Sequence, residues 1–297
     1  MLKAKEKNEI HYYYLLDNLI KENLNRKIKN KIQYNSKKGN NLLLKNIYKY
    51  NSYILIFLII SIYIPTVLSK NEILRKLNIS SEITLTITGN GNQKLLSDSY
   101  SPAPEDIIIN GNIISNGVKE IEINSGQEKT NVTLSWTSEL TTCKEMFRGL
   151  NSITYVDLTE FVPLNIEDMS YMFFECKNLQ TIEIDNFNSP QLKDLNNMFY
   201  GCVSLKSLDF KNIDTQQVTN MENMFLDCLS LSSIGLSSFN TRSVTNFNQM
   251  FYNCLSLTSL DINNFHTDSA IHMNSMFHLC KNLKYLNINN FNTNNVD

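Results

Sequence analysis

Five cysteines, Cys176, Cys202, Cys228, Cys254 and Cys280, recur every 26 residues, and Cys143 falls in a neighbouring column. Thiols at a fixed spacing could cross-link, hold a soft metal or act as nucleophiles. Two zinc-site features are missing: there is no Cys-x-x-Cys, and no His stands at ligand spacing from a cysteine pair. Stacked repeats about 4.7–4.9 Å apart would satisfy the Cα distance of a disulfide, but parallel Cβ vectors in one register make poor bridge geometry. The cysteines read as a buried ladder of free thiols used as small hydrophobes, with disulfides left open by an oxidising exterior.

His266, His272 and His278 lie six residues apart and suggest a metal site. On one helix such positions differ by about 600° and do not share a face. His278 replaces Phe174, Tyr200, Leu226 and Tyr252 of the other repeats, and His266 replaces Asn188, Asn240 and Asn292. Both read as variants in structural columns, and neither a metal nor a cofactor is expected. Asp157, Glu183, Asp209 and Asp261 share a strand column and could share protons, act as an acid and base pair, or bind a cation. Gly235 and Asn287 interrupt that column, so a solvated face is expected. The other histidine, His11, is remote, and no Gly-x-Ser-x-Gly, P-loop or dinucleotide fingerprint follows a strand. Enzymatic activity is not expected.

The elements that position these residues come from one copied unit. Met-Phe recurs with its phenylalanine at 147, 173, 199, 225, 251 and 277, a period within the range of leucine-rich repeats. Met169, Met172, Phe173 and Cys176 follow the i, i+3, i+4, i+7 spacing that marks one face of a short helix. Thr142, Asp168, Asp194, Asn220 and Asn246 precede it as N-cap acceptors, and His272 breaks that column. Next comes Leu-x-x-Leu-x-Leu, as in LQTIEI at residues 179–184, which predicts a strand. Phe161, Phe187, Phe239, Phe265 and Phe291, with Ile213 as the variant, should pack beneath it. A loop burying Val218 and Val244 closes the helix, strand, loop unit.

These columns carry a family resemblance. The stretch MFYNCLSLTSLDINNF at residues 250–265 is similar to the 26-residue repeat of BspA-like leucine-rich repeat surface proteins of Mycoplasma-like bacteria and of protists or anaerobic fungi. The resemblance spans about residues 141–297. It implies an α/β fold, a right-handed leucine-rich-repeat solenoid of six 26-residue helix-strand-loop units displayed at the cell surface. Some members adhere to or bind host or matrix proteins, so an extracellular protein or glycoprotein partner is implied.

Residues 70–140 precede the solenoid, and alternation at 82–87, 106–109, 120–123 and 131–136 predicts strands there. They form either a β-rich N-terminal cap over the first repeat or an independent small β domain. Residues 1–52 carry 12 Lys or Arg against four acids and read as a disordered or cytoplasmic leader, with nucleic-acid binding not expected. Residues 53–69 hold the uncharged apolar run 53–68, which reads first as a cleaved signal peptide, second as a single-pass signal anchor and last as a buried core segment. The first two put the repeats outside the membrane, secreted or held at the surface. Two sequons, at Asn78 and Asn131, are candidate glycosylation sites on that side. The chain stops inside a repeat unit, so a truncated C-terminus is expected.

Inward columns leave recognition to the outward strand residues. The expected binding surface comprises Tyr155, Asp157, Thr181, Glu183, Asp185, Ser207, Asp209, Lys211, Ser233, Thr258, Ser259, Asp261, Lys284, Tyr285 and Asn287. Tyr155 and Tyr285 are its expected anchors, because aromatic side chains concentrate binding energy. The competing expectation is a surface coat whose solenoids associate with each other.

Overall fold

The structure is a computed structural model that describes residues 81–297 except 116, 125, 127, 164, 185, 186 and 188. The leader, the apolar run and the Asn78 sequon lie outside the described residues. Among the described residues no helix is long and apolar enough to cross a membrane.

Alternation in SEITLTIT makes β1 (Ser81–Thr88), with Ile83, Leu85 and Ile87 fully buried. It pairs antiparallel along its whole length with β6 (Lys129–Trp136), from Ser81↔Trp136 to Thr88↔Lys129. β3 (Asp106–Ile109) joins the other edge of β6, and β4 (Asn112–Ser115) pairs with β3. Asn110 and Gly111, with φ of 52° and 80°, make that turn, the conformation a two-residue hairpin asks for. β2 (Gly91–Lys94) and β5 (Glu120–Ile123) form a separate antiparallel ribbon. The sequence patterns found β1, β3, β5 and β6; β2 and β4 carry too little alternation to stand out.

β7 (Ile153–Asp157) is the first strand of the repeats, and β1 lies antiparallel against it. From β7 the sheet continues in parallel through β8 (Thr181–Glu183), β9 (Ser207–Asp209) and β10 (Ser233–Gly235), so that eight strands run in the order β10-β9-β8-β7-β1-β6-β3-β4. β11 (Ser259–Leu260) and β12 (Tyr285–Leu286) form their own parallel pair. Every parallel register advances by one repeat, as in Tyr155↔Thr181 and Ser207↔Ser233.

The expected helix is replaced by a row of turns. No helix occurs among the described residues. In one coil the N–H groups of Met169, Tyr171, Phe173 and Glu175 donate to the carbonyls of Asp194, Asn196, Met198 and Tyr200 in the next, at 2.7–3.0 Å. The intervening N–H groups of Met172, Phe174 and Cys176 bond back to Met169, Tyr171 and Phe173 at 3.1–3.2 Å. Alternate residues thus bond between coils and within the coil. Two residues per coil take left-handed φ to allow this: Tyr171 at 59° and Glu175 at 54°, repeated through Ser275 at 56° and Leu279 at 61°. A right-handed helix excludes that conformation, which costs about 1–2 kcal/mol for a residue with a Cβ. The i, i+3, i+4, i+7 pattern reports only that Met169, Met172, Phe173 and Cys176 point inward, and all four are fully buried.

The cap column predicted from sequence does cap, but it caps this turn row. Asp168 Oδ1 accepts from Ser170 N–H at 2.7 Å, Asp194 Oδ1 from Asn196 at 2.9 Å, and Asn220 and Asn246 act alike. The same residues bridge coil to coil in parallel from Thr142 to His272. Behind them the Met-Phe rings stack face to face from Phe147 to Phe277, with centroids 5.4–5.9 Å apart and interplanar angles of 17° or less. Each such pair contributes about 0.5–1.5 kcal/mol beyond its buried area.

Candidate binding face

Period-two alternation in β1, β6 and β7 to β10 sends one set of side chains into the core and the other to a shared outer face. The registers align that outer set into lateral rows. One row runs Asn131, Thr86, Tyr155, Thr181, Ser207, Ser233. The second runs Thr133, Thr84, Asp157, Glu183, and, two residues beyond the Thr181↔Ser207 pair, Asp209 and Gly235. Between the rows Val132, Leu85, Val156, Ile182 and Leu208 are buried, which holds both rows outward. The face therefore crosses from the N-terminal strands onto the repeats without a break in pairing.

Hydrogen bonds order its N-terminal part. The Thr84 and Thr133 hydroxyls are 2.8 Å apart, and Thr86 Oγ1 donates to Asn131 Oδ1 at 2.7 Å. Tyr155 is half-buried; burial, then the charges of Asp157 and Glu183, then a hydrogen bond to Glu183 push its hydroxyl up to about 12. Asp157 is half-buried too, and its Oδ1 accepts from Thr159 N–H at 2.8 Å.

The structure places Thr181, Glu183, Ser207, Asp209, Lys211, Ser233, Thr258, Ser259, Asp261, Lys284, Tyr285 and Asn287 at exposed positions, and Asp185 lies outside the described residues. Thr258 and Lys284 stand at the strand entrance, where Lys284 N–H donates to the Thr258 carbonyl at 2.9 Å. Asp261 and Asn287 each close a local turn, accepting from Asn263 N–H at 3.2 Å and Asn289 N–H at 3.0 Å. The carboxylate column thus divides: Asp157 and Asp261 brace the backbone at the strand exit, whereas Glu183 and Asp209 line an open groove of about 550 Å³ with Lys211, Thr181, Ser207 and Ser233.

The other candidate chemistry is dispersed. His266 meets Arg242 at 3.1 Å, His272 meets Asp297 at 3.9 Å, and His278 lies over Tyr252 at 5.2 Å between centroids. All six cysteines are free thiols. Each from Cys176 to Cys280 donates its S–H to the phenylalanine carbonyl 29 residues earlier, at 2.9–3.3 Å. Burial pushes the Cys176 thiol up to about 12 and holds those of Cys202, Cys228 and Cys254 well above the usual thiol range. Such thiols are poor nucleophiles.

One recurring residue type escaped sequence reasoning. Thr215, Thr241 and Thr267 are fully buried, and each hydroxyl grips one residue of the following coil. Thr241 Oγ1 donates to the His266 carbonyl and accepts from the His266 N–H, both at 2.8 Å. Thr215 and Thr267 do the same to Asn240 and Asn292. The signal was present as a threonine two places after the phenylalanine column, in Ile213-Asp214-Thr215, Phe239-Asn240-Thr241 and Phe265-His266-Thr267, visible as a motif but mute about its bonds.

Comparison with known proteins addresses the repeats. A family model described as "Mycoplasma protein of unknown function, DUF285" matches residues 141–235 and 230–297. No curated protein matches the chain. Among solved structures, a leucine-rich repeat protein from Bacteroides ovatus is similar at 16% identity with a TM-score of 0.32, over 66% of this chain and 57% of that one. The repeats at residues 141–297 fill more than half of the sequence, carry the BspA-like columns and match this family model, and the chain belongs to the Mycoplasma-type DUF285 repeat family.

Proposed function

We propose that the chain is an extracellular or cell-surface binding and adhesion module that holds a protein or glycoprotein on its strand face without catalysis. The observation that carries this reading is the outward row Asn131, Thr86, Tyr155, Thr181, Ser207, Ser233, paired residue to residue across six strands, with the row from Thr133 to Gly235 running beside it. A rigid, polar, shallow surface of this kind suits recognition through many weak contacts around a few aromatic anchors. Tyr155 supports the face at its centre, and Tyr285, 75% exposed, offers a second ring on β12. The basic leader followed by the apolar run at 53–68 supports an outward topology. A glycan on Asn131 would stand at one end of the same face.

A pull-down of extracellular glycoproteins by the purified full chain tests the reading. Saturable binding that is lost in a Thr181→Arg, Ser207→Arg double variant of unchanged thermal stability supports it. Binding indifferent to that pair moves the function elsewhere. The coat alternative is favoured by one observation, the outermost strand β4, where Ile113 and Ile114 are 65% and 55% exposed. Concentration-dependent sedimentation without ligand, abolished by Ile113→Lys, would select it.

A further inference from the structure

The first and last coils are covered differently. On the N-terminal side of the first, β1 lies on β7, the Ser97 N–H donates to the Met146 carbonyl at 2.9 Å, and the Tyr100 hydroxyl donates to the Thr142 carbonyl at 3.3 Å. The C-terminal side of the last coil has no such cover among the described residues. Met273, Phe277, Leu283, Leu286 and Phe291 are half-buried there, whereas their equivalents one coil earlier, Phe247, Phe251, Leu257, Leu260 and Phe265, are at most 5% exposed.

Backbone polarity limits what can lie against this side. In the turn row the backbone bonds between coils run from an N–H to a carbonyl of the following coil, as from Phe247, Gln249, Phe251 and Asn253 to His272, Asn274, Met276 and His278 at 2.8–3.0 Å. The last coil repeats the same turns, with Ser275 and Leu279 at φ of 56° and 61°, so the N–H groups of Met273, Ser275, Phe277 and Leu279 form a row of donors on its C-terminal side. None of the four meets a backbone carbonyl among the described residues. Thr293 continues the column of Thr215, Thr241 and Thr267, yet it is exposed, where those three are fully buried and hold the following coil. A second copy placed tail to tail would set N–H against N–H. One placed head to tail is blocked by its own β1, Ser97 and Tyr100. The matching shape is a polypeptide with alternate carbonyls along one edge and apolar side chains beneath them, which is the N-terminal side of a coil of this repeat class.

We propose that the C-terminal side of the last coil docks a coil of the same repeat class from a partner polypeptide, which joins by its carbonyl-bearing side. The docked coil gives Met273, Phe277 and Leu283 the burial of their equivalents, provides acceptors for the four N–H groups and brings the residue that Thr293 holds. Its strand lies beside β12 and lengthens the outward rows. The site is separate from the strand face and stands independently of the binding reading.

Titration of the full chain with a fluorescent peptide of residues 193–244, two coils of this sequence, tests the docking, with the same residues in scrambled order as control. Saturable binding of the native-order peptide alone is expected. Thr293→Val should weaken it about fivefold, the worth of one hydrogen bond, at a position exposed in the free chain. Phe277→Lys should reduce it to background, while Ile113→Lys on β4 and the Thr181→Arg, Ser207→Arg pair should leave it unchanged. Thermal melting checks the fold of each variant, and Thr293→Val carries the test if Phe277→Lys unfolds the last coil. Hydrogen exchange at Ser275 and Leu279 should slow on binding, because both N–H groups acquire acceptors.

Absent binding, equal binding of the scrambled peptide, or unchanged exchange at Ser275 and Leu279 overturns the proposal. So does binding that survives both Thr293→Val and Phe277→Lys, since the peptide then docks elsewhere. Concentration-dependent dimerisation of the chain alone, dispersed by Phe277→Lys, would assign the surface to a second copy and overturn it as well.

Discussion

Thr241→Val, compared with Thr241→Ser, tests whether buried hydroxyls join the coils. Thr241 is fully buried, and its Oγ1 both donates to and accepts from the backbone of His266 at 2.8 Å. Valine keeps the volume and removes both bonds, leaving a backbone N–H and C=O unpaired at a coil junction. Each net hydrogen bond contributes about 1 kcal/mol, and a stranded buried group costs about 1–3 kcal/mol. His266 is half-buried, so water reaches part of the gap, and the expected loss is about 2–4 kcal/mol in all. Serine keeps both bonds and removes one methyl group, at about 1 kcal/mol. Urea unfolding followed by circular dichroism should therefore order the proteins parent, serine, valine, with a valine melting point lower by roughly 4–16 °C. A serine variant as destabilised as the valine variant would show that the methyl group matters and the hydroxyl clamp does not.

Three further outcomes follow from the same geometry. Gly201→Ala should destabilise by about 1–2 kcal/mol in urea, since φ is 69° and the new Cβ would lie 3.3 Å from Glu175 Cγ. Phe225→Ala should cost about 3–5 kcal/mol, because the ring is fully buried between Phe199 and Phe251 at 5.6 and 5.5 Å. Alkali should unfold the protein: buried thiols hold folded pKa values above the unfolded value, so their contribution is intact below about pH 8.5 and falls as pH rises towards the folded values. Each such thiol adds a slope of about 1.4 kcal/mol per pH unit in that window, and Cys228→Ala should flatten the pH–stability curve by that amount.

The sequence displayed the inside of this fold well and its backbone poorly. Recurrence alone located the strands β7 to β12, the cysteine column and the inward Met-Phe pairs, because burial demands apolar residues at repeated places. Asp168 and its equivalents also announced themselves as acceptors of free N–H groups, although a turn row rather than a helix receives them. The helix prediction failed at residues such as Tyr171, Glu175 and Leu279, whose left-handed φ no side chain advertises. Hydrogen bonding between coils stabilises that conformation, and the pattern of one coil contains no information about its neighbour. The face was legible as exposed positions, whereas its extension onto Thr84, Thr86, Asn131 and Thr133 depended on the antiparallel seam between β1 and β7. Gly235, where a Cβ would displace the Asp209 carboxylate, reads in sequence only as an interruption.

Variation inside a single coil explains how such a face could diversify without disturbing the scaffold. The third strand column carries Phe210 where its equivalents are Ile184, Leu236 and Ile262, and the phenylalanine column beneath carries Ile213. Both are buried, and Phe210 meets Phe239 edge-on at 5.2 Å, occupying the space left by the smaller Ile213. A large and a small side chain have exchanged places within one coil, conserving volume, the change a packed core tolerates best. The backbone ladders on either side retain the 26-residue register, with Ser207 still opposite Thr181 and Ser233. Core exchanges are thus absorbed within a coil, while the outward rows are tied to the core only through the backbone. Gly235 then marks the place where a change on the outward side alone, loss of one side chain, interrupts the repeating surface, and the Asp209 carboxylate leans into the space it leaves.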